Sequence, residues 1–160
     1  MLFRSSAALI RTFAVDAIQG PALRLSPKAA TTQVGQTVEV EIVAEEVEDM
    51  LAARVVLAFD AVELELQRVE GVDTFLGQHG GTLVMPEPEI DNAGGRLDLA
   101  IGVAGGSQAG VDGTGVLARL RFRAKRSGVA EIAPGTDTAL RDPDNQPIPV
   151  RRAGTTITVQ

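Results

Sequence analysis

The chain has 160 residues, 44% of them hydrophobic, which suits one domain with a sizeable core. Its formal net charge of -6 argues against a nucleic-acid binder, whose footprint is basic. It has no cysteine, which excludes disulfides and thiolate metal sites, and no apolar run reaches the roughly 18 residues of a membrane-spanning helix.

Residues 1–20 read differently from the rest. Arg4 and the apolar stretch after it faintly suggest a secretion leader, but Arg11 and Asp16 interrupt that stretch and no clean small-residue cleavage site follows. Leu9, Ile10, Phe13, Ala14, Ala17 and Ile18 recur at helical spacing, Ser5 or Ser6 can cap, and Gly20-Pro21 stops the run. The pattern predicts a short amphipathic helix, marginal alone in water. It would dock on its own domain, on a neighbouring subunit, or on a longer parent.

From Pro21 onward, short alternating runs lie between turn formers, the mark of an antiparallel β protein. Ala22 to Ser26 is the first strand, ended by Pro27. Gln33 to Gln36 is a turn. In TVEVEIVAEEV, Val38, Val40, Ile42 and Ala44 point inward. In ARVVLAFD, Ala53, Val55, Leu57 and Phe59 share the inner face, with Arg54, Val56, Ala58 and Asp60 outside. VELELQRV contributes Leu64 and Leu66, and GVDTFLG brings Val72, Phe75 and Leu76 to the core edge. Residues 78–95 are rich in Gly, Pro and carboxylates, with a short strand at Thr82 to Met85. GRLDLAIGVAG turns Leu97, Leu99, Ile101 and Val103 inward. In GVLARLRFRAKRSG, Val116, Ala118, Leu120, Phe122 and Ala124 form an oily face, and Leu117, Arg119, Arg121 and Arg123 the opposite one. Those arginines either solvate a sheet surface or meet a partner. VAEIAP and TTITV finish the chain. About nine strands without helical patterns between them predict two sheets packed face to face.

The ordered set VGQTVEVEIVAEEV, LAARVVLAFDAVELELQRVEGVDTFLG, DNAGGRLDLAIG, GTGVLARLRFRAKRSGVAEI, LRDPDNQPIPV and TTITV resembles the cohesin family over residues 22–160. The resemblance implies an all-β, nine-stranded jelly-roll β-sandwich over residues 21–160, behind the N-terminal segment. It implies protein binding without catalysis: cohesins receive dockerins, small helical modules that carry calcium, in extracellular or cell-surface assemblies. It places the contact on one sheet face, here Arg54, Val56, Ala58, Asp98, Ala100, Gly102, Leu117, Arg119 and Arg121. Small apolar residues ringed by charge fit an interface core and rim, and Arg is a frequent anchor. The chain lacks the Tyr and Asn-rich pattern of cellulosomal types.

Other chemistry has little support. His79, the only histidine, sits among loop glycines, and there is no GxSxG elbow to pair with it. Glu87 and Glu89 are a carboxylate pair of a kind any acidic surface offers. Oxygen ligands for calcium could come from Glu89, Asp91 and Asn92, or from Asp142, Asp144 and Asn145, though DPDN also fits an ordinary turn. No other cofactor is expected. A structural subunit of a surface or secretion/pilus-like assembly, joined through its N-terminal segment or a sheet edge, is the alternative to a dockerin receptor. A carbohydrate-binding module is disfavoured, since there is no Trp or Tyr to stack on a sugar.

Overall fold

The computed structural model describes residues 20–106 and 109–160. The helix expected before Gly20 lies outside the described residues. Fourteen strands and one short 3-10 helix are described: β1 (Ala22–Ser26), β2 (Ala29–Thr32), β3 (Thr37–Met50), β4 (Ala52–Phe59), β5 (Leu64–Gly71), η1 (Leu76–His79), β6 (Thr82–Val84), β7 (Glu89–Asp91), β8 (Arg96–Ala104), β9 (Val111–Ala124), β10 (Gly128–Pro134), β11 (Ala139–Arg141), β12 (Pro147–Ile148), β13 (Arg151–Ala153) and β14 (Thr155–Val159). The nine runs read from alternation are β1, β3, β4, β5, β6, β8, β9, β10 and β14. The other five are short, and pairing with a neighbour defines them more than any pattern of their own.

The strands form two sheets. The smaller has the order β13-β1-β3-β9-β5. In the larger, β4 is central. It pairs β8 along one edge, and β10 then β11 along the other. β14 and β2 extend the sheet beyond β10, while β6 and β7 pair the far edge of β8.

The core lies between the two sheets. β4 presents Ala53, Val55, Leu57 and Phe59 to it, β8 presents Leu97, Leu99 and Ile101, and β9 presents Leu120, Phe122 and Ala124. Alternation drives this: burying each large aliphatic side chain contributes roughly 1.5–3 kcal/mol, and only one face of each strand is apolar. Phe59 and Phe122 meet across the sandwich, ring centroids 5.3 Å apart and edge to face at 73°. Val72, Phe75 and Leu76 are buried as expected. Phe75 packs closely on β9 because residue 115 is glycine; a Cβ there would lie 2.4 Å from the Phe75 side chain.

Two facings on β9 differ from the expectation, and the first is Val116, expected inward but only partly buried and outside the core. The second is Leu117, which is fully buried, not outward. Opposite β3 the register runs Ile42 to Ala118 and then Val43 to Val116, so β9 carries one extra residue there. That bulge breaks the strict two-residue alternation and turns both Leu117 and Ala118 inward.

Candidate functional site

The expected contact residues divide between the two sheets. Arg54, Val56 and Ala58 lie on β4, and Asp98, Ala100 and Gly102 on the adjacent β8, all in the larger sheet. Arg119 and Arg121 lie on β9, in the smaller sheet. Two stacked sheets expose opposite outer faces, so the nine residues do not form one patch. Leu117 belongs to neither face, because it is in the core.

The β9 arginines face a neutral ladder. Arg119 Nε lies 3.1 Å from Glu41 Oε2, Arg121 Nη2 lies 3.6 Å from Glu39 Oε1, and Arg123 Nη1 lies 3.8 Å from Glu65 Oε2. Arg68 pairs Glu70 on the same face at 3.6 Å. Arginine is thus answered by glutamate, across neighbouring strands for β9 and within β5 for Arg68, and such exposed pairs mainly keep a sheet surface soluble.

The outer face of the larger sheet is built differently. The outward residues of β8 opposite the start of β4 are small: Gly102 faces Ala52, and Ala100 faces Arg54. Arg54 reaches diagonally to Asp98, with Nε 3.1 Å from Oδ1 and Nη2 2.7 Å from Oδ2, a two-pronged ion pair. Arg96 approaches the same carboxylate at 3.8 Å. The Arg54 hydrogen bond holds the Asp98 carboxyl below its ordinary range, and Asp98 in turn raises the Arg54 guanidinium, with Asp137 and Glu89 adding smaller contributions. Val56 shares this face but is buried; the turn after β10 binds its backbone there, through Gly135 N–H to the Val56 carbonyl and the Thr138 hydroxyl.

At the end of the face where β4 begins, Leu51, Ala52, Val84, Pro86, Gly102 and Val103 line an open apolar groove of about 360 Å³. Val84 is 47% exposed there, a large hydrophobic side chain left to solvent. Residues 51, 84 and 86 were not singled out from the sequence. The available signal was Val84, an outward aliphatic residue in a strand bounded by Gly81 and Pro86.

The calcium expectations do not fit this geometry. Asp142 Oδ1 accepts the N–H groups of Asp144 at 2.9 Å and Gln146 at 2.8 Å, and Asn145 takes the left-handed conformation at φ 60°. The Arg141 guanidinium donates to the Asn145 carbonyl at 3.2 Å. This is a turn stapled by its own aspartate. At the other place, Asp91 Oδ1 accepts from Ala93 and Gly94, while Asn92 takes both backbone groups of Leu66, at 2.8 and 3.0 Å. Among the described residues no group of three or more His, Cys, Asp or Glu side chains is placed to hold a metal ion. His79 is exposed at the end of η1.

The two packed sheets make this a β-sandwich of the jelly-roll class. The chain belongs to the cohesin domain family, whose model matches residues 23–159. It is therefore a non-catalytic protein–protein interaction module. Among solved structures it is similar to the non-cellulosomal cohesin of the hyperthermophilic archaeon Archaeoglobus fulgidus, with TM-score 0.69 and 15% identity over 88% of this chain and 91% of that one. It is also similar to the seventh ScaB type I cohesin of Pseudobacteroides cellulosolvens, with TM-score 0.67 and 21% identity over 88% and 92%. The sixth cohesin of Acetivibrio cellulolyticus scaffoldin B, solved in complex with a Cel5 dockerin mutant, matches with TM-score 0.68 and 16% identity over 89% and 100%. At these identities the likeness shows the shared fold. A comparison with curated proteins finds no match. No helix among the described residues is long and apolar enough to cross a membrane.

Proposed function

We propose that this cohesin domain captures a dockerin-type module on the outer face of its larger sheet, within an extracellular or cell-surface assembly. The observation that carries this is the contrast between the two outer faces. The smaller sheet's arginines are already matched by glutamates, so binding there would displace existing pairs. The larger sheet offers small side chains, an apolar groove and a half-exposed Val84, which a partner covers at little cost. The partner-binding residues are therefore Arg54, Ala58, Asp98, Ala100 and Gly102, joined by the groove residues Leu51 and Val84. Complexes of structural neighbours with dockerins support the partner class.

The test is calorimetric titration of the purified chain with dockerin modules encoded by its source organism. Ala100→Trp, which fills the face, should abolish the heat of binding. Arg119→Glu, on the other sheet, should leave it unchanged. The reverse result would move the site to the smaller sheet.

A further inference from the structure

Three features of the larger sheet's outer face bear on what kind of partner it accepts. The first is the groove: every residue named in its wall carries an apolar side chain or none. A hydroxyl or amide pushed into it would lose water and find no side-chain hydrogen-bond partner. The second is the central pair. The Nε and Nη2 groups of Arg54 are engaged by Asp98, so the charge of this arginine is largely answered within the fold. Arg96 leans on the same Asp98, and Arg141 donates to the Asn145 carbonyl. The third is the sign of what is left. Glu87 follows Pro86 of the groove wall, Glu89 sits opposite Asp98 in the register of β7 and β8, and Asp137 acts on Arg54 from the side of β11. All three are exposed, and none makes an ion pair among the described residues.

We infer that the face selects a partner helix carrying a large aliphatic or aromatic side chain for the groove, flanked by lysine or arginine for Glu87, Glu89 and Asp137. This rests on the reading of the face as the dockerin-type docking site and specifies the partner chemistry that site accepts. The apolar plug supplies the buried contact, and the basic flanks supply complementarity, with faster encounter and rejection of acidic competitors. A partner whose contact helix is rich in Ser, Thr and Asn leaves its polar groups unpaired in the groove and is rejected. An acidic contact helix meets three carboxylates and is rejected too.

The experiment displays a dockerin module with its exposed helix positions randomised, selects on the full chain at 0.15 M salt, and sequences what is enriched. The expected consensus has Leu, Ile, Met or Phe at a central position and Lys or Arg beside it. With the leading clone as probe, Ala100→Trp should weaken binding at least tenfold and Glu89→Lys at least fivefold. Glu39→Lys changes the net charge equally on the opposite sheet, and should change binding less than twofold. A consensus of polar or acidic helices blocked by Ala100→Trp would overturn the inference while leaving the docking face intact. Enriched clones insensitive to Ala100→Trp, or no enrichment, would overturn both. Equal losses from Glu39→Lys and Glu89→Lys would reduce the charge preference to bulk attraction and overturn it. A chain that dimerises until Ala100→Trp is introduced would give the groove to a second copy, which also overturns the inference.

Discussion

Phe122→Ala tests the facing of β9 and, with it, the division of the molecule into two different outer faces. Phe122 is fully buried, and its ring meets Phe59 of the opposite sheet edge to face at 5.3 Å. Truncating a buried Phe to Ala costs about 3–5 kcal/mol, and loss of the aromatic pair places this site toward the upper part of that range. Its neighbour Arg121 points the other way, its side chain 45% exposed and 3.6 Å from a Glu39 that is itself 62% exposed. Removing one partner of such a pair costs about 0.2–1 kcal/mol. The two substitutions should therefore differ several-fold, although they sit side by side. Urea unfolding followed by circular dichroism gives both numbers. The midpoint should fall sharply for Phe122→Ala and barely for Arg121→Ala, with the slope unchanged in each. A typical domain has about 5–15 kcal/mol in total, so the first variant loses a large fraction of its stability. If it does not fold, Phe122→Leu serves, with a smaller loss that still exceeds that of Arg121→Ala. Equal costs would refute the facing and, with it, the placing of the arginines on a separate outer surface.

Three further outcomes follow from named contacts. Asp98→Asn should lower stability near neutral pH: a carboxyl whose folded pKa is depressed by Arg54 stabilises the fold above its ordinary range and loses that contribution as the pH falls through the depressed value. Thermal melts across an acid series should show the variant and parent converging, and a constant gap would refute the pairing. Asn92→Ala should free the Leu66 backbone groups on the edge strand β5, costing about 1–2 kcal/mol for two hydrogen bonds and speeding hydrogen exchange at Leu66; unchanged exchange would show the clasp to be idle. Adding millimolar calcium or a chelator to the chain alone should leave its melting temperature within about 1 °C, whereas a concentration-dependent rise would reveal a site.

Most of the fold was legible because alternation is a local property. Core residues of β3, β4, β8 and β9 can be picked from their own strands without knowing their neighbours. Two things were not local. The bulge that buries Leu117 exists only in the pairing of β9 with β3, and nothing in GVLARLRF marks it. The sheet to which a strand belongs is set by strand order, so Arg119 and Arg54 looked like members of one face although they lie on opposite ones. The groove escaped for the same reason: its wall comes from the start of β4, the end of β8 and the proline-rich stretch after β6, three segments far apart in the chain.

The way each face handles its charges explains why one is suited to docking. On the smaller sheet each β9 arginine lies beside a glutamate of a neighbouring strand, so the surface is satisfied by itself and offers a partner no unmet need. On the larger sheet the charges converge instead: two arginines share one aspartate, and the remaining carboxylates stand apart beside an uncovered apolar groove. Covering that groove removes apolar surface from water, and a basic flank completes pairs the fold leaves open. The run of arginines on β9 therefore lies away from the proposed site, and the groove residues that would carry the buried contact are small, apolar and easily overlooked.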